Sequence, residues 1–463
     1  MSTSILWLRR DLRLTDHPAL LAAQDDADAV LPVFVLDAAL RGPSGAPRLA
    51  FLYRCLRDVQ ERTGGALRIL TGRPEEVLPR LAAQVEATAV HISSDHGPYG
   101  RDRDTRVADA LGDTPLVPTG SPYAVTPGSL LKPDGTPYRV YTPYARAWAT
   151  RGVRGPARGA PPRWTDGDQP TDGVPADPDL GAVTLPPAGE GAARERWQGF
   201  VEDGASAYDT RRNRPDVDGT SGMSVYLKYG CIHPRTMLAD LGRGAGESKL
   251  AGEVVWRDFY ADVLWHRPDS ARTELNPALA GLEYDDDEDR WQAWATGRTG
   301  YPFVDAGMRQ LLGQAWVHNR VRMVVASFLV KDLHLHWRRG ARHFMTHLRD
   351  GDLASNQHGW QWVAGTGTDA APYFRVFNPV KQGLEHDPDG DYVRRWVPEL
   401  RDVPGPAVHE PWRLPGGLPA GYPERVVDHA AERQEALRRY AVTRDAPGPT
   451  DEASAGVVVV VDR

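Results

Sequence analysis

The spacing of apolar residues changes character once along this chain of 463 residues, and that change limits what it can fold into. Over the first 120 residues, short β-branched runs at about 4–8, 29–36, 67–71, 89–93 and 115–118 alternate with amphipathic helical stretches. Strands separated by helices pair in parallel, because each connection has to cross the sheet, so this half predicts a doubly wound parallel sheet. No GxGxxG follows the first run, which argues against an NAD-type dinucleotide fold. Residues 151–190 hold eight prolines and seven glycines with little periodicity and read as a long surface connector. Beyond about 195 the β-branched runs stop. Met308, Leu311, Leu312, Ala315 and Trp316 then recur at helical spacing, as do Val321, Val324, Val325, Phe328 and Leu329. Eleven of the fourteen tryptophans lie past residue 190, so aromatic chemistry belongs to this helical part. The expected fold class is an α/β N-terminal doubly wound parallel-sheet domain (1–130), a connector (131–195) and an all-α C-terminal domain (196–445), with a disordered tail (446–463).

Composition excludes several function classes. Only two cysteines are present, Cys55 and Cys231, far apart and without metal or disulfide spacing, which points to a reducing compartment, the cytoplasm. The start MSTSILWLRRDLRL brings arginines behind a short apolar run and is no secretory signal. No run approaches the roughly 20 apolar residues of a membrane span. A net charge of −7 argues against indiscriminate coating of nucleic acid but leaves room for one basic face. A monomer without a metal is expected.

Four segments carry chemistry. Gly351–Pro379, with the preceding Asp350, gathers Asp350, Asp352, Asn356, Trp360, Trp362 and Asp369 around a single leucine, a poor core but a suitable cradle for a polar, planar, redox-active ligand. In Asp218–Arg235, the hydroxyls of Thr220, Ser221 and Ser224 around Gly222 and Met223 precede a helical run, so the loop serves either as an anion site or as a plain helix cap. In Gly252–Tyr260, helical spacing puts Glu253, Trp256, Arg257 and Tyr260 on one face. That face is either a binding surface or a Glu253–Arg257 surface pair beside a half-buried indole. In Val317–Leu333 the period places Trp316, Asn319 and Met323 together with Arg322 beside them. An amide inside so apolar a helix needs a hydrogen-bond partner, from the core or from a ligand.

These segments, with ILWLRRDLRLTDHPAL at Ile5–Leu20 and RTGYPFVDAGMRQL at Arg298–Leu311, resemble the DNA photolyase/cryptochrome family in the family's own order over about residues 4–400. The closest likeness is to class I cyclobutane pyrimidine dimer photolyases. The resemblance implies an FAD-binding helical domain, an antenna-binding α/β domain, and light-driven repair of pyrimidine dimers in DNA. Glu253, Trp256, Asn319, Met323 and Trp362 are then the residues that meet a flipped-out dimer. Tyr208, Thr220, Ser221, Gly222, Met223, Ser224, Arg257, Trp316, Asn319, Arg322, Asp350, Asp352 and Asn356 are implied to hold FAD. Many relatives carry arginine where this chain has Gly222. Arg212, Arg320 and Arg375 are implied to grip DNA phosphates. Trp360 and Trp337 match the first two members of a photoreduction relay. Tyr284 stands where many relatives have the third tryptophan, with Trp291 as the alternative outer member. For Arg48, Asp95 and Lys228 the resemblance implies a deazaflavin antenna rather than methenyltetrahydrofolate, although Gly97 stands where deazaflavin-using relatives have an acid, and a chain with no antenna is the alternative. A cryptochrome-type photoreceptor and a six-four photoproduct enzyme are the rival readings.

Overall fold

A computed structural model describes residues 1–165, 168–368 and 374–445; Asp369 and the tail 446–463 lie outside the described residues. Five strands appear where the β-branched runs stand: β1 (Thr3–Leu8), β2 (Ala29–Leu36), β3 (Arg68–Thr71), β4 (Val90–Ile92) and β5 (Leu116–Pro118). All pair in parallel in the order β3-β2-β1-β4-β5, with Ile5 beside Leu31 on one side and Val90 on the other. The strand order reverses between β1 and β4, so a crevice opens beyond their carboxyl ends, the usual ligand position in such sheets. Arg9 and Arg10 follow β1 there, and Ser93 to His96 follow β4.

The helices that matter for function are α1 (Ala46–Arg62), α2 (Tyr141–Arg151), α3 (Glu190–Asp203), α4 (Ser224–Tyr229), α5 (Ala245–His266), α6 (Asn319–Ser327), α7 (Trp337–His347), α8 (Leu353–Ala364) and α9 (His429–Asp445). Helix α4 ends at Gly230, with φ +67°, where a Cβ would stand 2.0 Å from the carbonyl oxygen of Arg10. Only glycine lets the β1 turn come this close.

Side chains along β1 alternate between two cores, as a pleated strand requires. Ile5 and Trp7 join Leu31, Val33, Leu78 and Val90. Leu6 and Leu8 face the other way, into a core that also takes Phe51 and Leu56 of α1, Trp197 and Phe200 of α3, and Tyr226 of α4. The sheet and the helical half therefore share one apolar interior. Cys55 and Cys231 meet inside it with their sulfurs 3.5 Å apart, a contact that their separation in sequence hides. A third core, built on Trp294, Val321, Val325, Phe328 and Trp360, belongs to the helical half alone.

The stretch read as a connector is more attached than expected. It contains α2, whose Trp148 donates to the buried carboxylate of Asp258 on α5 at 3.0 Å. Further on, the backbone of Arg163 and Thr165 bonds to both sides of Val30, and Asp172 bonds to Ile69, so the segment is sewn to the sheet. Among the described residues no helix is long and apolar enough to cross a membrane, and no group of three or more potential ligands is placed to hold a metal.

Candidate functional site

Helix α5 presents Glu253, Trp256, Arg257 and Tyr260 on one face, but Glu253 and Arg257 are not partners. The Glu253 carboxylate pairs with Arg212. Arg257 turns away and donates to the carbonyl oxygens of Pro122 (2.8 Å) and Leu227 (3.2 Å), with its guanidinium 4.4 Å over the Tyr123 ring. The Trp256 indole lies flat on Tyr141, ring centroids 3.7 Å apart and planes 2° from parallel. Tyr141 comes from the start of α2, and its hydroxyl donates to the carbonyl of Gly252 at 3.2 Å. Burial and then the Glu253 charge push its phenol up to about 12, against Arg212. No motif singled out Tyr141; the stack exists only once α2 docks on α5.

Helix α6 starts later than the apolar period suggests. Ala315 adopts φ +51°, which breaks the chain before Trp316, and the His318 ring accepts from the Arg320 N–H to open the helix at Asn319. Trp316 therefore does not share a helical face with Asn319 and Met323, and Asn319 is an exposed first-turn residue rather than a buried amide. Arg320 donates to the Asn213 side chain at 3.1 Å. The consecutive residues Arg212 and Asn213 thus tie α5 to the start of α6. Met323 and Arg322 are half-buried.

Asp350 links the next layer. Arg322 reaches it at 2.8 Å, and the Ser224 hydroxyl bonds to it, joining α6 to the 220–224 loop. Burial works against its charge, but Arg322, Ser224 and Arg349 outweigh burial and hold it below the usual carboxylate range. In the loop, Gly222 has φ +68°, and the Met223 N–H approaches the Ser221 hydroxyl at 3.4 Å. Tyr208 is buried under the Arg212 guanidinium, 5.6 Å from its ring.

Asp352 opens α8 by accepting from Ser355 N–H and binds Arg10 at 2.6 Å, so the crevice at the β1/β4 switch point meets the helical half here. Burial opposes its ionisation, yet Arg10, Lys228 and Arg257 keep it strongly acidic. Lys228 has no hydrogen bond or ion pair among the described residues, and its ammonium is lowered to about 7. Burial causes most of this, followed by Arg10 and Arg48 against Asp352 and Asp95. The three residues read as antenna contacts, Arg48, Asp95 and Lys228, therefore stand within one electrostatic cluster. Asn356, one turn into α8, donates to the carbonyl of Ala341 at 3.1 Å.

Trp360 packs on α7 where Gly340 leaves space; a Cβ there would overlap the indole at 2.2 Å. Trp337, one turn earlier, is fully buried and donates to Glu274 at 3.0 Å. Tyr284 lies past His336, and its buried hydroxyl has no hydrogen-bond partner among the described residues. A second line of indoles leaves Trp360 in another direction: Trp294 at 6.1 Å and then Trp291 at 5.3 Å, centroid to centroid. Trp291 is half-buried under Arg339. Arg375 lies 5.6 Å over the Trp362 ring.

A family described as "DNA photolyase" matches residues 4–162, and one described as "FAD binding domain of DNA photolyase" matches residues 250–442. A deoxyribodipyrimidine photo-lyase from Streptomyces griseus is 41% identical over 453 residues, covering 94% of this chain and 98% of its own. The chain belongs to the DNA photolyase/cryptochrome family. A solved class III photolyase from Agrobacterium tumefaciens shares 34% identity over 96% of this chain and 98% of its own, with a TM-score of 0.89. A Synechocystis cryptochrome reaches 0.87 at 27% identity over 95% and 99%. The α/β and helical halves expected from the sequence are the photolyase fold. The FAD-binding match takes in α5, α6 and α8, whereas the 220–224 loop lies outside both matched stretches.

Proposed function

We propose that this protein is a deoxyribodipyrimidine photo-lyase that repairs cyclobutane pyrimidine dimers in DNA, using light and FAD. The single observation that carries the reading is the arrangement at the α5 edge. Glu253 and Trp256 stand beside Arg212, while Arg212's neighbour Asn213 holds Arg320 at the start of α6, next to Asn319. An acid for base edges, an indole for an apolar face and two arginines for phosphates are what a lesion lifted from a DNA stack requires.

The donor set fits FAD. Asp350 fixes Arg322 and Ser224 in one network, and Asp352 and Asn356 would hold the flavin ring edge, while Arg257, bonded to the carbonyls of Pro122 and Leu227, would act from behind it. FAD, when bound in its reduced form, supplies the excited-state electron that opens the cyclobutane ring and takes it back. The chain's own work is to bind and orient. Glu253 and Asn319 hydrogen-bond the flipped bases, and Trp256, Met323 and Trp362 pack on their apolar faces. Tyr141 braces Trp256 from behind through the parallel stack. Arg212, Arg320 and Arg375 take backbone phosphates without reading sequence.

A deazaflavin antenna is favoured over methenyltetrahydrofolate on the resemblance; Arg48 and Asp95 both act electrostatically on Lys228, and an anionic planar ring beside them would favour the lysine's charge. The class I assignment rests on Glu253, Trp256, Asn319 and Met323. Fold does not choose the class, since a class III photolyase and a cryptochrome share it. The domain limits 1–130, 131–195 and 196–445 belong to this reading.

The deciding experiment mixes photoreduced protein with an oligonucleotide bearing a thymine dimer, illuminates it, and follows the return of thymine absorbance. Recovery that depends on light and is lost in Glu253→Ala supports repair at this edge. Protein that retains reduced FAD but restores no thymine sinks the reading and favours six-four lesions or photoreception.

A further inference from the structure

We infer that Arg196 is a positioning residue for the 220–224 loop, acting through two peptide groups rather than by touching a ligand. The inference rests on the proposed placement of the FAD pyrophosphate at this loop. Arg196 extends from α3 and donates to the carbonyl oxygens of Thr220 (2.8 Å) and Ser221 (2.9 Å). Its guanidinium is held from outside by the Asp218 carboxylate at 3.1 and 3.4 Å.

A trans peptide is planar, with its C=O and N–H pointing in opposite directions. When the carbonyls of Thr220 and Ser221 turn toward Arg196, the N–H groups of Ser221 and Gly222 turn away from it. Neither N–H has an acceptor among the described residues. Successive N–H groups leading into a residue with positive φ form a concave donor pair suited to an anion, and Gly222 has φ +68°. A Cβ at Gly222 would lie 3.4 Å from Arg196 Nε and 3.7 Å from Nη2, so the guanidinium already lines the flank that a side chain at 222 would share. The loop carries no charge of its own at that position. The cation from α3 polarises the two peptide groups and fixes their direction.

The test compares FAD with riboflavin, which has the same ring system and no phosphate. Apoprotein is titrated with each by flavin fluorescence, and its melting temperature is recorded. Arg196→Ala should weaken FAD about tenfold, because the two peptide groups must then be ordered on binding, while riboflavin affinity and the apoprotein melting temperature stay at wild-type values. Arg196→Lys, a point charge that cannot bridge two carbonyls, should fall between the two. FAD affinity in R196A within about twofold of wild type overturns the inference, as does parallel loss of FAD and riboflavin. Should R196A fail to fold, full FAD affinity in R196K overturns it equally. The underlying reading fails separately: wild-type protein binding riboflavin as tightly as FAD would show that this loop holds no pyrophosphate.

Discussion

Glu253 and Arg212 are each other's partners; on the proposed reading a phosphate takes Arg212 and frees the Glu253 carboxylate for the base it meets, and each residue then has its own contact. Arg212→Ala should weaken damaged and undamaged DNA alike and lower the slope of log affinity against log salt by about one. Glu253→Gln should instead reduce the preference for dimer-bearing DNA about tenfold while leaving general binding unchanged. Fluorescence anisotropy across a salt series separates the two, and an R212A defect confined to damaged DNA would remove Arg212 from the phosphate contacts. Lys228 carries a different constraint, because its ammonium has fallen from 10.5 to about 7. Between those values the unfolded chain keeps a proton that the native one has released, so this residue's contribution to stability rises with pH. At lower pH the native protein keeps the charge in a half-buried site beside Arg10 and Arg48. Lys228→Met in apoprotein should therefore raise the denaturation midpoint most near about pH 6 and least near about pH 9. A gain that is constant with pH would mean that Lys228 is solvated.

At the scale of elements, the strands were legible because their β-branched runs survive in the sequence, and β2 is buried along its whole length, as a strand covered on both faces of a parallel sheet is. The start of α6 was not. Nothing in the apolar pattern reveals that Ala315 turns left-handed, so Trp316 and Asn319 read as one face although a break separates them. The Glu253–Arg212 pair, the Tyr141 stack and Arg196 on its loop were equally hidden, since each joins distant segments that meet only after packing. The relay shows the same limit. Matching by position points to Tyr284, but a phenol that loses an electron must also lose its proton, and the buried Tyr284 hydroxyl has no partner among the described residues to receive it. An indole does not face that immediate demand, and Trp294 and Trp291 continue from Trp360 to a half-exposed position. Blue-light photoreduction of oxidised FAD with an external donor should slow in Trp294→Phe and in Trp291→Phe and stay at the wild-type rate in Tyr284→Phe. An unaffected W294F rate would return the outer step to the Trp337 side.

Across the whole molecule, one apolar interior serves both halves, and this bears on function because its helical wall includes α4. Phe51 of α1, fully buried, stacks against Tyr229 at 5.4 Å and meets Tyr226 edge-on at 5.7 Å, both on the helix that follows the 220–224 loop. The α/β half thus buttresses the loop that the FAD reading depends on, and the two halves cannot open without exposing Leu6, Leu8, Trp197 and Phe200 together. Unfolding of the apoprotein should then show one calorimetric transition rather than one for each half. Phe51→Ala removes a large buried ring and should cost about 3–5 kcal/mol. That loss should lower the one transition without splitting it, and weaken FAD although residue 51 lies in the other half. Two resolved transitions, or an F51A protein with lowered stability and wild-type FAD affinity, would show that the halves fold as separate units and that α4 holds its loop without help from the sheet.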